Sequence, residues 1–284
     1  MEQFAKWVET VNGYVWGYFL MFMIVGTGIW LTYKMRLVQI RFFAHAWSLI
    51  SGKWEKPDDK GEITHFQALS TALAATVGTG NIAGVATAIA SGGPGAVFWM
   101  WVSAFIGMCT KFTCCLLALK YRTIDSDGEV AGGPMYYLRD GLKMPKLGML
   151  FAIFAFVASF GIGNMVQANS VAAPLHSYLC EAGLAEVATG EGFNMVRLVI
   201  GIVIAILVGI VILGGIKRIA SFADKVVPFM AFGYVAASLY ILFVQRENLI
   251  PAFKMIFGSA FGLQEAAGGM LGYGVAEAMR WGIA

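Results

Sequence analysis

Residues 74–84 read Ala-Ala-Thr-Val-Gly-Thr-Gly-Asn-Ile-Ala-Gly and interrupt an otherwise apolar run of the sequence. A backbone group that leaves its helix inside hydrocarbon finds no water and costs several kcal/mol if it stays unpaired. Irregular backbone is tolerated there only around a cavity, and many secondary transporters bind ligands at such broken helices. The stretch predicts either a broken membrane helix that holds a ligand or a close helix contact, because Gly80 and Gly84 have small-xxx-small spacing.

The composition is that of a polytopic membrane protein. Hydrophobic residues make up 58% of the 284 residues and charged residues only 13%, against roughly 25% charged residues in a soluble domain. The net charge of +3 comes from basic residues gathered in short loops, and no basic tract with interleaved aromatic side chains indicates a nucleic-acid surface. We therefore expect a lipid bilayer as the surroundings and no nucleic-acid partner.

The cysteines and histidines show no spacing of a catalytic or metal site. Cys109, Cys114 and Cys115 fall in one apolar segment, where we expect them to act as small hydrophobes. The three histidines are scattered over different segments, which favours neither a zinc site nor a catalytic triad. We expect no enzyme, no catalytic residue and no cofactor.

A membrane-spanning helix needs about 20 mostly apolar residues, and the sequence contains seven such segments. They lie at 14–33, 65–90, 95–119, 148–179, 196–214, 226–244 and 261–283. Between the first two, residues 36–54 combine aromatic side chains such as Phe43 and Trp47 with basic ones, as in an amphipathic segment at the membrane surface. The alternative is a polar loop with a few buried anchors.

Lysine and arginine residues concentrate in three loops, at 34–60, 120–146 and 217–225. If the seven spans are right, these loops lie on one side, and the positive-inside rule places them in the cytoplasm and the N-terminus outside. No basic n-region precedes the first apolar run, so we expect a retained span rather than a cleaved signal peptide. Lys111, inside the third span, is a functional candidate or a structural charge that snorkels toward the interface.

Two other spans are also interrupted. Gly161, Gly163, Asn164 and Gln167 lie within the fourth span, where carboxamides require polar partners, either around a cavity or across a helix contact. Residues 268–274 place four glycines in the seventh span. Glycine-interrupted helices in the second and seventh places are what a five-plus-five inverted repeat produces.

Four stretches resemble the alanine or glycine:cation symporter family, whose members are often described as sodium:alanine symporters. They are residues 66–85, 132–137, 214–219 and 227–230. The family is similar in fold to LeuT-type transporters, with one extra helix ahead of a ten-helix core. The resemblance therefore implies an all-α, polytopic transmembrane bundle of LeuT-type inverted-repeat architecture.

Carried onto this sequence, the resemblance implies a single transmembrane domain over residues 1–284. Residues 14–33 would form the extra N-terminal helix, residues 65–244 the first five-helix repeat, and residues 261–283 the first helix of the second repeat. Family members continue further, so the resemblance implies a chain truncated after the sixth core helix, with the second repeat largely missing. We expect such a chain not to transport by itself.

The activity implied by the resemblance is sodium-coupled symport of a small neutral amino acid, alanine or glycine, by alternating access across a bacterial or archaeal plasma membrane. Backbone amides at the unwound turn would bind the substrate carboxylate, and backbone carbonyls of Ala74 and Val77 would coordinate sodium. The substrate-binding residues implied by the motif are Thr76, Gly78, Thr79, Gly80, Asn81 and Gln167.

One alternative from another class is a channel or passive pore subunit with a polar helix-packing interface. Such a protein needs a continuous polar path, which the sequence does not show. A membrane-embedded enzyme would need a nucleophile, a metal-binding triad or a pair of carboxylates at a common depth, and the spacing of the polar residues indicates none.

Overall fold

The structure, a computed structural model, describes residues 2–15, 18–54, 62–124, 130–183 and 195–262, and these are almost entirely helical. The α-helices in chain order are α1 (Glu2–Val15), α2 (Tyr18–Lys34), α3 (Val38–Arg41), α4 (Phe43–Ile50), α5 (His65–Thr76), α6 (Val85–Gly92), α7 (Gly95–Lys120), α8 (Pro134–Tyr136), α9 (Pro145–Phe160), α10 (Val166–Glu181), α11 (Met195–Ile212), α12 (Gly215–Val244) and α13 (Leu249–Ala260).

Shorter elements connect these helices. Three segments are π-helical, Gly80–Gly84, Tyr137–Gly141 and Gly161–Met165, and Arg246–Asn248 forms a 3₁₀ turn. The strands β1 (Thr123–Ile124) and β2 (Val130–Ala131) form an antiparallel hairpin, with Thr123 opposite Ala131 and Ile124 opposite Val130.

Five helices of the described part are long and apolar enough to cross a membrane, and a sixth span results if the broken pair α5 and α6 counts as one. The candidates are Lys6–Lys34, His65–Thr76 with Gly80–Gly92, Gly95–Lys120, Pro145–Glu181, Met195–Ile212 and Gly215–Val244. They correspond to the first six spans expected from the sequence. The expected seventh span, at 261–283, lies outside the described residues apart from its first two positions.

One expected helix boundary was wrong, and one helix was missed. The sixth span was expected to begin at 226, but α12 already begins at Gly215, because basic residues such as Lys217 mark the edge of the hydrocarbon and not the end of a helix. The helix α13 was not expected at all, because its 12 residues fall short of the length that identifies a span. The segment at 36–54, expected to be either an amphipathic surface segment or a polar loop, contains the helices α3 and α4, and Phe43 and Trp47 are exposed on α4.

The buried hydrophobic residues of the described part are mainly small, and five of the nine are alanines. The large apolar side chains on the candidate spans are mostly exposed, including Phe154 on α9, Ile206 on α11 and Phe232 on α12. Small residues allow helices to approach closely, while lipid chains solvate large apolar side chains as well as a protein core does. This distribution is that of a bundle surrounded by lipid.

Contacts divide the chain into two compact units. The first unit comprises Met1–Trp47, Gly80–Leu116 and Gly233–Ala284, and the second comprises Ser48–Thr79 and Leu117–Phe232. The boundary after Thr79 falls inside residues 74–84, the stretch that interrupts the apolar run of the second span. The expectation of a single transmembrane domain stays a prediction.

In the first unit, α2 packs against α7 at Gly28. A Cβ atom added at Gly28 would collide with the Ile106 side chain and lie 3.4 Å from the Thr110 hydroxyl, whereas one added at Gly26 would meet nothing within 4 Å. The two glycines therefore form a matched pair on one helix, with only Gly28 at a contact.

We expect Gly28→Ala to lower the thermal unfolding midpoint, because overpacking a tight contact costs about 1–3 kcal/mol. The control, Gly26→Ala, should leave the midpoint unchanged or raise it, because alanine favours a helix over glycine by roughly 1 kcal/mol. The measurement is thermal unfolding of purified protein in detergent. Equal midpoints for the two variants would show that α2 does not pack on α7 at this point.

In the second unit, the segment after α7 is closely packed. A Cβ atom added at Gly148 would lie 2.7 Å from the Met135 carbonyl oxygen, and the Val130 N–H donates to Oε1 of Glu62 over 3.3 Å. Arg139 and Asp140 form an ion pair of 2.7 Å. The hydrogen bond between these two side chains lowers the pKa of Asp140 and raises that of Arg139. Both side chains are exposed, so the pair contributes little to stability.

Candidate functional site

The helix α5 ends abruptly in the middle of an apolar segment. Its last helical hydrogen bond runs from the Val77 N–H to the Leu73 carbonyl over 2.7 Å, and Val77 itself is extended, with φ −83° and ψ 105°. Helical structure resumes two residues later and includes the π-helical turn Gly80–Gly84 before α6 begins. The interruption predicted from the glycines is therefore a real break in the backbone, centred on Val77 and Gly78.

The break leaves backbone oxygens without helical partners. The last four carbonyls of an α-helix receive no intrahelical bond, and here those of Ala74 and Val77 lie beyond the final bond to Leu73. These are the two carbonyls that the sequence resemblance assigned to sodium. The Thr76 hydroxyl donates to the Ala72 carbonyl over 2.7 Å, so its oxygen lone pairs remain to accept a bond or to ligate a cation.

Gln167 of α10 lies against the break. A Cβ atom added at Gly78 would be 3.6 Å from Gln167 Nε2 and 3.7 Å from its Oε1. No other residue of the described part, apart from the chain neighbours of Gly78, comes within 4 Å of that position. Both residues belong to the second unit. The structure therefore brings together Gly78 and Gln167, two of the residues that the resemblance implied for substrate binding.

The remaining implied residues lie along the same break. Thr79 is half-buried and is the last residue of the segment Ser48–Thr79 of the second unit. Gly80 and Asn81 are the first two residues of the π-helical turn and belong to the first unit. The Asn81 side chain is exposed, and a Cβ atom added at Gly80 would meet nothing within 4 Å. The exposed Asn81 carboxamide and the N–H groups at the start of this helical segment suit a polar ligand, because the first N–H groups of a helix have no intrahelical partner.

The fourth span was expected to be interrupted at its glycines and carboxamides, but it stays helical throughout and carries only a π-helical turn there. The π-helical turn Gly161–Met165 separates α9 from α10, and Asn164 lies inside it. Single π-helical turns within α-helices occur frequently at functional sites. Gln167 follows this turn closely, at the second position of α10, so the irregular backbone of one span lies near the irregular backbone of another within the second unit.

The available oxygens suit a hard monovalent cation better than a transition metal. No group of three or more histidine, cysteine, aspartate or glutamate residues that could hold a metal ion occurs within the described ranges. Carbonyl and hydroxyl oxygens are the ligands that hard cations prefer. The carbonyls of Ala74 and Val77 and the hydroxyl of Thr76 are groups of this kind.

Residues 1–284 match the sequence profile of the sodium:alanine symporter family. The chain belongs to this family. The resemblance inferred from the sequence motifs is thereby confirmed at the level of the family, which consists of transporters.

Curated relatives of the chain include transporters that are named for different substrates. The chain is 47% identical over 284 residues to the sodium/alanine symporter AgcS of Methanococcus maripaludis, covering 99% of the chain and 59% of the relative. It is 43% identical over 278 residues to an uncharacterized transporter of Haemophilus influenzae, covering 98% of the chain and 58% of the relative. It is 35% identical over 285 residues to the probable sodium/glutamine symporter GlnT of Bacillus subtilis, covering 100% of the chain and 56% of the relative. The chain thus spans somewhat more than half the length of these relatives.

One contact at the opposite end of α5 from the break could not be anticipated from motif spacing. Gln67, at the start of α5, donates from Nε2 to Oδ2 of Asp224 on α12 over 3.0 Å. The only sequence signal was local: Thr64 and Gln67 have the spacing of a capping box, and Asp224 lies four residues before Pro228.

Proposed function

We propose that this chain carries the substrate and sodium site of a sodium-coupled symporter for a small neutral amino acid, alanine or glycine. The observation that carries the proposal is the position of the Gln167 carboxamide against Gly78, at the point where α5 ends and its last carbonyls have no helical partner. Membership of the sodium:alanine symporter family supports it. The Methanococcus relative is named as a sodium/alanine symporter, which supports alanine as the substrate.

In the proposed site, the two ligands compensate each other's charge. A carboxylate or a sodium ion alone would be expensive to bring into a low-dielectric interior, and together they reduce that cost. The carbonyls of Ala74 and Val77 and the hydroxyl of Thr76 hold sodium on the α5 side of the break. The backbone amides of residues 78–80, with Thr79 and Asn81, receive the carboxylate, and Gln167 faces the amino acid. Each ligand therefore raises the affinity for the other.

We further propose a LeuT-type arrangement, with one transmembrane domain in the plasma membrane of a bacterium or an archaeon. In that arrangement, later core helices contribute cation ligands and the partner that moves in alternating access. Transport then needs a polypeptide longer than these 284 residues, and the greater length of the relatives supports this. A chimera can be made by joining this chain to the part of the Methanococcus relative that it does not cover. We expect the chimera to transport alanine and the chain alone not to.

The function is tested by uptake of radiolabelled alanine into proteoliposomes, with an inward sodium gradient and with choline replacing sodium. We expect the chimera to accumulate alanine only with the sodium gradient and the 284-residue chain to accumulate none. Saturable alanine uptake that is indifferent to sodium would contradict symport, and non-saturating flux would favour a passive pore. Uptake by the short chain would overturn the requirement for a longer polypeptide.

Asn81→Ala is expected to lower sodium-dependent alanine uptake by the chimera. The loss of a hydrogen bond to a charged group costs about 1.5–3 kcal/mol, which corresponds to roughly a 10- to 100-fold weaker affinity. The measurement is the alanine concentration that gives half-maximal uptake. Thr87→Ala on α6 is the control, because the Thr87 hydroxyl is bonded to the Ala83 carbonyl and lies a turn and a half further on. Unchanged uptake by Asn81→Ala would remove Asn81 from the site.

A further inference from the structure

The Gln67 side chain helps to hold the start of α5 in place. Its backbone N–H donates to the Thr64 hydroxyl over 3.1 Å, and its Oε1 accepts from the Thr64 N–H over 3.2 Å, which is the reciprocal pair of a capping box. The remaining polar group of the carboxamide, Nε2, donates to Oδ2 of Asp224 over 3.0 Å. Gln67 therefore joins the start of α5 to α12, across 157 positions of the sequence and within the second unit.

Asp224 lies at a weakened turn of α12. Pro228 is inside this helix, and because proline has no N–H, the Asp224 carbonyl four residues earlier receives no helical hydrogen bond. The second carboxylate oxygen of Asp224, Oδ1, is buried and has no hydrogen-bond partner in the described part of the chain. A buried carboxylate oxygen without a donor is costly, which leaves the bond from Gln67 to Oδ2 as the hydrogen bond that holds this carboxylate within the described part of the chain.

We propose that Asp224 is a positioning residue for the sodium site and acts through Gln67. This inference rests on the proposed function. The helix α5 has 12 residues and a length of about 18 Å at 1.5 Å per residue. A contact that fixes its start therefore also fixes its other end, where Ala74 and Val77 present their carbonyls.

A released α5 would populate orientations in which these carbonyls are not assembled around sodium. The apparent affinity of a ligand falls in proportion to the fraction of molecules in the binding-competent state. Breaking the contact should therefore raise the apparent KM for sodium and leave the maximal rate nearly unchanged, because no group that touches the amino acid is altered. General unfolding would instead lower the amount of active protein, and hence the maximal rate.

Gln67→Glu breaks the contact selectively. Glutamate at this position still accepts from the Thr64 N–H and so keeps the capping box, but it sets a carboxylate against that of Asp224 and repels it. We expect the apparent KM for sodium to rise roughly five- to tenfold in chimera proteoliposomes, in proportion to the lost competent fraction. The maximal rate should stay within about twofold, since the variant acts on that fraction alone.

Two variants at Asp224 serve as controls. Asp224→Asn keeps an oxygen that accepts from Gln67, so its sodium KM should remain near that of the wild type. In the double variant Gln67→Glu/Asp224→Asn, the asparagine amide donates to the glutamate and restores the bond with the roles reversed. We expect the double variant to recover the wild-type KM, which a loss of packing at either position alone would not predict.

Hydrogen–deuterium exchange of the 284-residue chain tests the contact without any transport. Amides of α5 should exchange faster in Gln67→Glu than in the wild type and return to the wild-type rate in the double variant. Unchanged exchange in Gln67→Glu, or failure of the double variant to recover, would overturn the proposal. Absence of sodium-dependent uptake in the wild-type chimera would refute the proposed function and leave the exchange result to decide the contact.

Discussion

Gln167→Met is expected to weaken alanine binding by roughly 10- to 100-fold, because methionine has nearly the same length as glutamine but no carboxamide for a charged or polar ligand. The structure places that carboxamide beside Gly78, with 3.6 Å between its Nε2 and an added Cβ atom. The measurement is the dissociation constant for alanine at saturating sodium. It is made on the 284-residue chain if that chain binds alanine, and otherwise on the chimera.

The matched control for this substitution is Asn169→Leu. Asn169 is another exposed carboxamide of α10, but two residues of a helix are about 200° apart around its axis, so Asn169 faces away from the direction of Gln167. Its replacement should leave the alanine dissociation constant unchanged. Equal weakening by both variants would mean that α10 is disturbed as a whole and would remove the special role of Gln167.

Gly95→Ala is expected to destabilise the first unit by about 1–3 kcal/mol, as overpacking of a close contact does. A Cβ atom at Gly95 would lie 2.6 Å from the Ala260 nitrogen and 2.7 Å from the Ser259 carbonyl carbon. These are backbone atoms of α13 and cannot turn aside as a side chain can. The Trp99 indole N–H donates to the Ala260 carbonyl over 3.3 Å. This hydrogen bond would lengthen or break as α13 moves away from α7.

Thermal unfolding and tryptophan fluorescence check this expectation. Gly95→Ala should lower the unfolding midpoint and change the emission of Trp99, while Gly107→Ala on the same helix, where an added Cβ atom meets nothing within 4 Å, should do neither. A midpoint unchanged by Gly95→Ala would show that α13 does not rest on the start of α7.

The sequence predicted the break near Gly78 because glycine and threonine inside an apolar run are a local signal. The glycines and carboxamides at Gly161–Met165 were a similar local signal, but there the helix continues through a π-helical turn and does not break. Helix ends were less predictable: charges locate the edge of the hydrocarbon, and α12 continues beyond that edge to Gly215.

Contacts between distant positions could not be read from periodicity. The approach of Gln167 to Gly78 was implied only by resemblance to a family, since nothing local distinguishes Gln167 from Asn164 or Asn169. The bond from Gln67 to Asp224 spans 157 positions, and it depends on how two helices pack rather than on either helix alone. Local chemistry therefore located the break, while tertiary packing determined which side chains lie beside it.

The break is proposed to hold sodium and an amino acid together, and ligand protection of a thiol at Thr79 tests this most directly. The measurement is the alkylation rate of Thr79→Cys, in a background without the four native cysteines, with sodium, with alanine, with both and with neither. Thr87→Cys on α6 is the control. We predict that sodium and alanine together slow alkylation at Thr79→Cys, that neither alone does so fully, and that the control is unaffected. Alkylation at Thr79→Cys that is indifferent to both ligands, in protein that binds alanine, would contradict the account.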